Sequence, residues 1–157
     1  MKKILSILLV AMFATTAMVS CDKEETFTEA STNTLVYNGK VYQMESSYSY
    51  EQSGRVYIDA NAVETTADGL PIFHIISDDP ENGTYDLTQG GLFFGLSSEV
   101  DEIQSFYSQD DDFSSGTMVV EKDDDAFSAK LNGTLKDGTT VSFWIYVPAS
   151  EWVALEW

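Results

Sequence analysis

GTMVVEK (116–122), AFSAKLNGTL (126–135) and TTVSFWIYV (139–147) decide the fold. The middle segment alternates apolar and polar residues with a period of two, the repeat of a strand with one face buried, and the other two are apolar strand-length runs beside it. In the middle segment Phe127, Ala129, Leu131 and Leu135 face one way, and Ser128, Lys130, Asn132 and Thr134 face the other. Gly133 interrupts the apolar row, so a bulge or a close backbone approach is expected there. Between the segments lie Asp123-Asp124-Asp125 and Lys136-Asp137-Gly138, short polar turns that make the three strands a meander.

Working outward, the same period recurs upstream. Leu35 to Tyr37 runs into Asn38-Gly39, a two-residue hairpin signal. Residues 40–50 (KVYQMESSYSY) put Tyr42, Met44, Tyr48 and Tyr50 on one face, and residues 55–63 alternate again around Val56, Ile58, Ala60 and Ala62. LPIFHIIS (70–77) is more uniformly apolar and reads as a central strand covered on both faces. Shorter strands are expected at 84–88, 92–96 and 103–107, with a helical turn at 97–102. No helix-length periodic segment occurs, which excludes a βαβ architecture. The expectation is an all-β antiparallel β-sandwich or lipocalin-like barrel of about nine to ten short strands.

The first 34 residues read differently. Lys2 and Lys3 precede an apolar run at 4–13 (ILSILLVAMF), a charged region and apolar core of signal-peptide proportions. A permanent membrane helix needs about 20 apolar residues. Met18-Val19-Ser20 directly before Cys21 resembles a bacterial lipobox, with Met18 where leucine usually stands. The resemblance implies cleavage after Ser20 and acylation of Cys21 with fatty chains such as palmitate. More than one chain is what stable anchoring requires, since each buried CH₂ contributes only about 0.8 kcal/mol. An ordinary secretory signal is the alternative. It would leave the sole cysteine as an unpaired thiol in an oxidising compartment.

Asp22-Lys23-Glu24-Glu25 resembles the lysine-plus-acidic export signal of Bacteroidetes lipoproteins. That resemblance implies an outer-membrane lipoprotein on the cell surface rather than the periplasmic face; a plain acidic tether is the alternative. The domain plan is therefore 1–20 signal peptide, 21–34 lipidated Cys21 and linker, and 35–157 a single β domain. Further along, GTYDL (83–87), SGTMVV (115–120), LNGTL (131–135) and DGT (137–139) are similar to strand and turn motifs of uncharacterised small β-sandwich or lipocalin-like Bacteroidetes lipoproteins. The likeness implies a fold and, at most, a binding role at the envelope.

Charge narrows the partners. The chain carries 8 basic and 26 acidic residues, a net charge of −18. Residues 1–20 hold two lysines and no acid, so the mature form has 6 basic residues, 26 acidic ones and a net charge of −20. Nucleic acid is a poor partner for such a surface, because its recognition rests on phosphate neutralisation. The membrane is reached through the lipid on Cys21.

Catalysis finds little support, and the domain is read as non-enzymatic. His74 is the only histidine, set in a strand where a hydrogen-bonded structural role is the ordinary one, and there is no His or Cys cluster for zinc. Two carboxylates would suffice for glycoside hydrolysis, yet no motif singles out a pair. No cofactor is expected, except that Asp110-Asp111-Asp112 and Asp123-Asp124-Asp125 offer the hard oxygens that calcium favours. Aspartate is also a common turn residue for its own backbone bonds. Trp144 and Tyr146 share one face of the last strand and Trp152 follows in the tail. Exposed, these rings would form a sugar platform; enclosed, they would line a barrel cavity. The sequence thus points to binding of a ligand, a glycan among the candidates, or of envelope proteins. The alternative is a structural or adhesive module acting through protein contacts.

Overall fold

The computed structural model describes residues 30–51, 56–78, 80–89, 93–108 and 111–155. Cys21, the signal peptide, the export-like tag, Asp110 and Trp157 lie outside the described residues.

The chain is all-β. Its strands are β1 (Thr34–Tyr37), β2 (Lys40–Glu51), β3 (Val56–Ala62), β4 (Phe73–Asp78), β5 (Gly83–Asp86), β6 (Phe94–Ser98), β7 (Phe106–Tyr107), β8 (Phe113–Lys122), β9 (Ala126–Leu135), β10 (Thr140–Pro148) and β11 (Val153–Leu155), with one 3₁₀ turn at Ala149–Glu151. The first ten form one antiparallel sheet in the order β5-β8-β9-β10-β1-β2-β3-β4-β6-β7, curled into a half-barrel. The β8–β9–β10 meander stands as its alternation requires, and Asn38-Gly39 makes the expected two-residue hairpin. Both turn residues have positive φ, 48° and 80°, which suits an Asn-Gly pair.

β2 holds the two halves of the sheet together. Its first four residues pair with β1 and Met44 to Tyr50 pair with β3, so the sheet changes partner midway along one continuous strand. The ladder between β1 and β10 ends at Thr34↔Trp144. Beyond it, the amide of Asn33 stands in for a strand: its Oδ1 accepts from Tyr146 N–H at 2.8 Å and its Nδ2 donates to Tyr146 O at 3.1 Å. Farther along, β11 lies parallel to β2 at Ser49 to Glu51. The chain therefore becomes structural before residue 35, since Thr34 already belongs to β1 and is almost wholly buried.

The concave face is filled. Phe94 of β6 contacts Phe106 of β7, Phe113 of β8 and Phe143 of β10 at ring-centroid distances of 6.2, 5.9 and 6.2 Å. Strands far apart in the sheet order thus meet inside it. Each fully buried ring contributes about 1.5–3 kcal/mol relative to exposure. The close packing explains Gly133: a side chain there would meet the Phe113 ring at 2.8 Å and Leu87 at 2.9 Å. Of the two expectations for this glycine the close approach holds; Gly133 itself pairs regularly with Gly116, and the register shift lies nearby in the facing strand β8, between Phe113 and Ser115.

The middle of the chain departs from its sequence reading. The strand of 70–77 begins only at Phe73, and it is covered on one face, with residues 73–78 alternating buried and half-buried. Leu70 is 54% exposed. The helical turn expected at 97–102 is the end of β6 followed by a bend, and the strand of 103–107 shrinks to Phe106–Tyr107. The Ser98 hydroxyl explains the bend: it accepts from Val100 N–H at 3.2 Å and donates to Val100 O at 3.0 Å. Such local bonds compete with a helix. The tail after Pro148, left without an element, contains the 3₁₀ turn and β11.

Candidate functional site

The outward row of the meander forms a groove. Register places Glu121, Ser128 and Tyr146 in one cross-strand row, and Thr84, Val119, Lys130 and Trp144 in the next. These residues, with Asn82, Lys122, Asp123 and Asp125, line an open groove of about 800 Å³ on the convex face. A smaller recess of about 130 Å³ lies on the far side of Trp144, against Ala30, Asn132 and Ser142. There the entering chain is tied down, with Ala30 N–H donating to Ser142 Oγ at 3.0 Å.

Trp144 is half-buried and held in place. Its Nε1 donates to Ser128 Oγ at 3.1 Å, and the Lys130 ammonium lies 3.8 Å from its ring centroid, a close cation–π contact. One ring face is therefore already occupied. Tyr146, at 37% exposure, is the more open of the two aromatics. Trp152 is not part of the groove. It packs on the core with its ring 4.7 Å from that of Tyr48, and its Nε1 donates to Val147 O at 3.2 Å.

Asp111 and Asp112 precede the ten-residue β8 and Asp123 to Asp125 follow it, about 30 Å apart at the rise of a strand. Asp111 pairs with Lys136 at 2.6 Å. Asp112 accepts from Tyr107 N–H at 3.1 Å. Asp123 Oδ1 accepts from the N–H groups of Asp125 and Ala126 at 2.8 and 2.9 Å, and these bonds hold its carboxyl below the ordinary range. Asp124 and Asp125 are exposed in the same turn. Among the described residues no three acidic, histidine or cysteine side chains converge on one point.

His74 is half-buried at the second position of β4, paired in register with Asn61 and Ser97. Asp86 is the second carboxyl shifted down, by the hydroxyl and the N–H of Thr88. The groove residues that sequence reasoning passed over are Lys130, Lys122, Glu121, Ser128, Thr84 and Asn82. Alternation had placed Lys130 and Ser128 on an outward face, but their position beside Trp144 depends on register with β10. Compared with known proteins, the chain matches no family model, no curated protein and no solved structure.

Proposed function

We propose that this chain is a lipoprotein, anchored through Cys21 at the outer membrane and facing the cell surface, whose β domain binds a glycan without transforming it. The groove of about 800 Å³ carries this reading. It combines an exposed tyrosine and a tryptophan edge with amide, hydroxyl and carboxylate side chains, the mixture that stacks on sugar faces and exchanges hydrogen bonds with hydroxyls. The filled concave face directs a ligand to the outer one.

Assembly through protein contacts is the second reading, and the open edge of β5 is the observation in its favour. That edge offers four residues, and the opposite edge, β7, two. Short edges discourage strand addition, so the groove is preferred. The test is a glycan array probed with the chain from residue 21 onward, with and without calcium. A defined subset of glycans should bind, and Tyr146→Ala should abolish that binding. Silence on the array, together with co-purification of envelope proteins, would transfer the proposal to the assembly reading.

A further inference from the structure

The groove is electrically polarised along its length. At its turn end stand Asp123 and Asp125, and beside them Glu121. Lys130 stands toward the other end, four residues along β9 from Ala126, or about 13 Å at the rise of a strand. In a chain with 8 basic residues against 26 acidic ones, Lys130 brings its ammonium into this groove, over Trp144. Lys136 is neutralised by Asp111 at 2.6 Å. Lys130 has no carboxylate partner among the described residues. The Lys122 ammonium is turned to the other face, against the rings of Tyr48 and Trp152, at 5.1 and 5.4 Å. Lys130 rests on Trp144 at 3.8 Å, so an aromatic face rather than an anion sets its position.

Building on the glycan reading above, we infer that the ligand is an oligosaccharide with one isolated acidic residue, whose carboxylate or sulfate is met by the Lys130 ammonium. Neutral residues extend from there over Tyr146 toward Glu121 and Asp123. The ammonium is already located, so an incoming anion gains a charge-assisted hydrogen bond with little further ordering. The carboxylates at the turn end accept hydrogen bonds from sugar hydroxyls and repel a second negative charge. A polyanion, charged at every residue, is therefore rejected while a singly charged saccharide is held.

The test titrates the chain from residue 21 onward with oligosaccharides carrying a single uronic acid, with the same compounds after carboxyl reduction, and with a polyuronate. The single-acid compounds should bind most tightly, and binding should weaken as sodium chloride rises from about 0.05 to 0.5 M. Lys130→Gln should weaken them about tenfold, the usual scale for one charge-assisted bond, and weaken the reduced compounds far less. Lys130→Arg should retain most of the affinity. Lys130 is exposed, so a fall in melting temperature no larger than the loss of one cation–π contact would separate recognition from folding. Equal binding of acidic and reduced compounds, indifferent to Lys130→Gln, would overturn this inference and leave the groove a neutral-sugar site. Tightest binding of the polyuronate would overturn it as well. Failure of every saccharide to bind would remove the glycan reading itself.

Discussion

Trp144 and Trp152 are eight residues apart, on either side of Pro148, and they serve opposite faces of the molecule. Trp144 stands on the convex face of β10, pinned by Ser128 and covered on one side by Lys130. Trp152 follows the 3₁₀ turn, where Ala149 N–H donates to Asp125 O at 2.8 Å, and is carried back onto Tyr48. The first region presents side chains to solvent from a ladder complete on both sides. The second closes the gap where β1 has ended and β2 still needs a neighbour, a need β11 meets. A tryptophan thus contributes to recognition or to cohesion according to where the backbone travels next, not according to its own chemistry.

The contrast breaks most sharply under alanine substitution. Trp152→Ala should cost about 3 kcal/mol, because it strips a large ring from the Tyr48 cluster, and chemical denaturation would read the loss. Trp144→Ala should cost about 1 kcal/mol, one hydrogen bond and one cation–π contact, while sharply lowering glycan affinity. Equal losses of stability would erase the distinction between the two regions. Asn33→Ala, which removes the side-chain bridge to Tyr146, should cost about 1 kcal/mol and loosen the Tyr146 end of the groove, visible as faster amide exchange there.

Tyr48 sharpens the comparison from below. Its ring is wholly buried under Trp152 and its hydroxyl has no hydrogen-bond partner among the described residues. Tyr48→Phe should therefore raise stability by up to about 1 kcal/mol, since an unsatisfied polar group is removed without loss of packing. A lower denaturation midpoint would mean that the hydroxyl is bonded in solution. The smallest effect belongs to Asp123, in the turn that joins the two regions. Its folded pKa lies below the unfolded value, so its stabilisation is fully present above the unfolded pKa and fades as pH falls through the folded one. The difference in melting temperature between the wild-type chain and Asp123→Ala should thus be present at pH 7 and close in strong acid. A gap that persists there would deny the carboxylate its role.

Legibility followed the distance between partners. In the carboxy-terminal meander each strand turns directly into the next, so alternation and turn chemistry identified strands, faces and the special place of Gly133. The middle of the chain resisted because its partners are remote: β5 crosses to β8, and β4 skips it to pair with β6. LPIFHIIS has the apolar content of a strand buried on both faces, yet residues 73–78 are fully covered on one only. The candidate site was half-legible. Trp144 and Tyr146 could be named from their shared face, whereas Lys130 became a site residue only when register set it opposite Trp144.

By itself the sequence determined the all-β class, the Asn38-Gly39 hairpin and the inward and outward faces of β9 and β10. Those properties depend on a two-residue period and on turn residues, which act within a few positions of the chain. Tertiary structure alone decided the order of the strands, the filled concave face, the groove with a lysine at one end and aspartates at the other, and the parting of Trp144 from Trp152. Each of these is a meeting of segments far apart in sequence. Such meetings are selected by the joint burial of whole rows of side chains, which no single segment encodes.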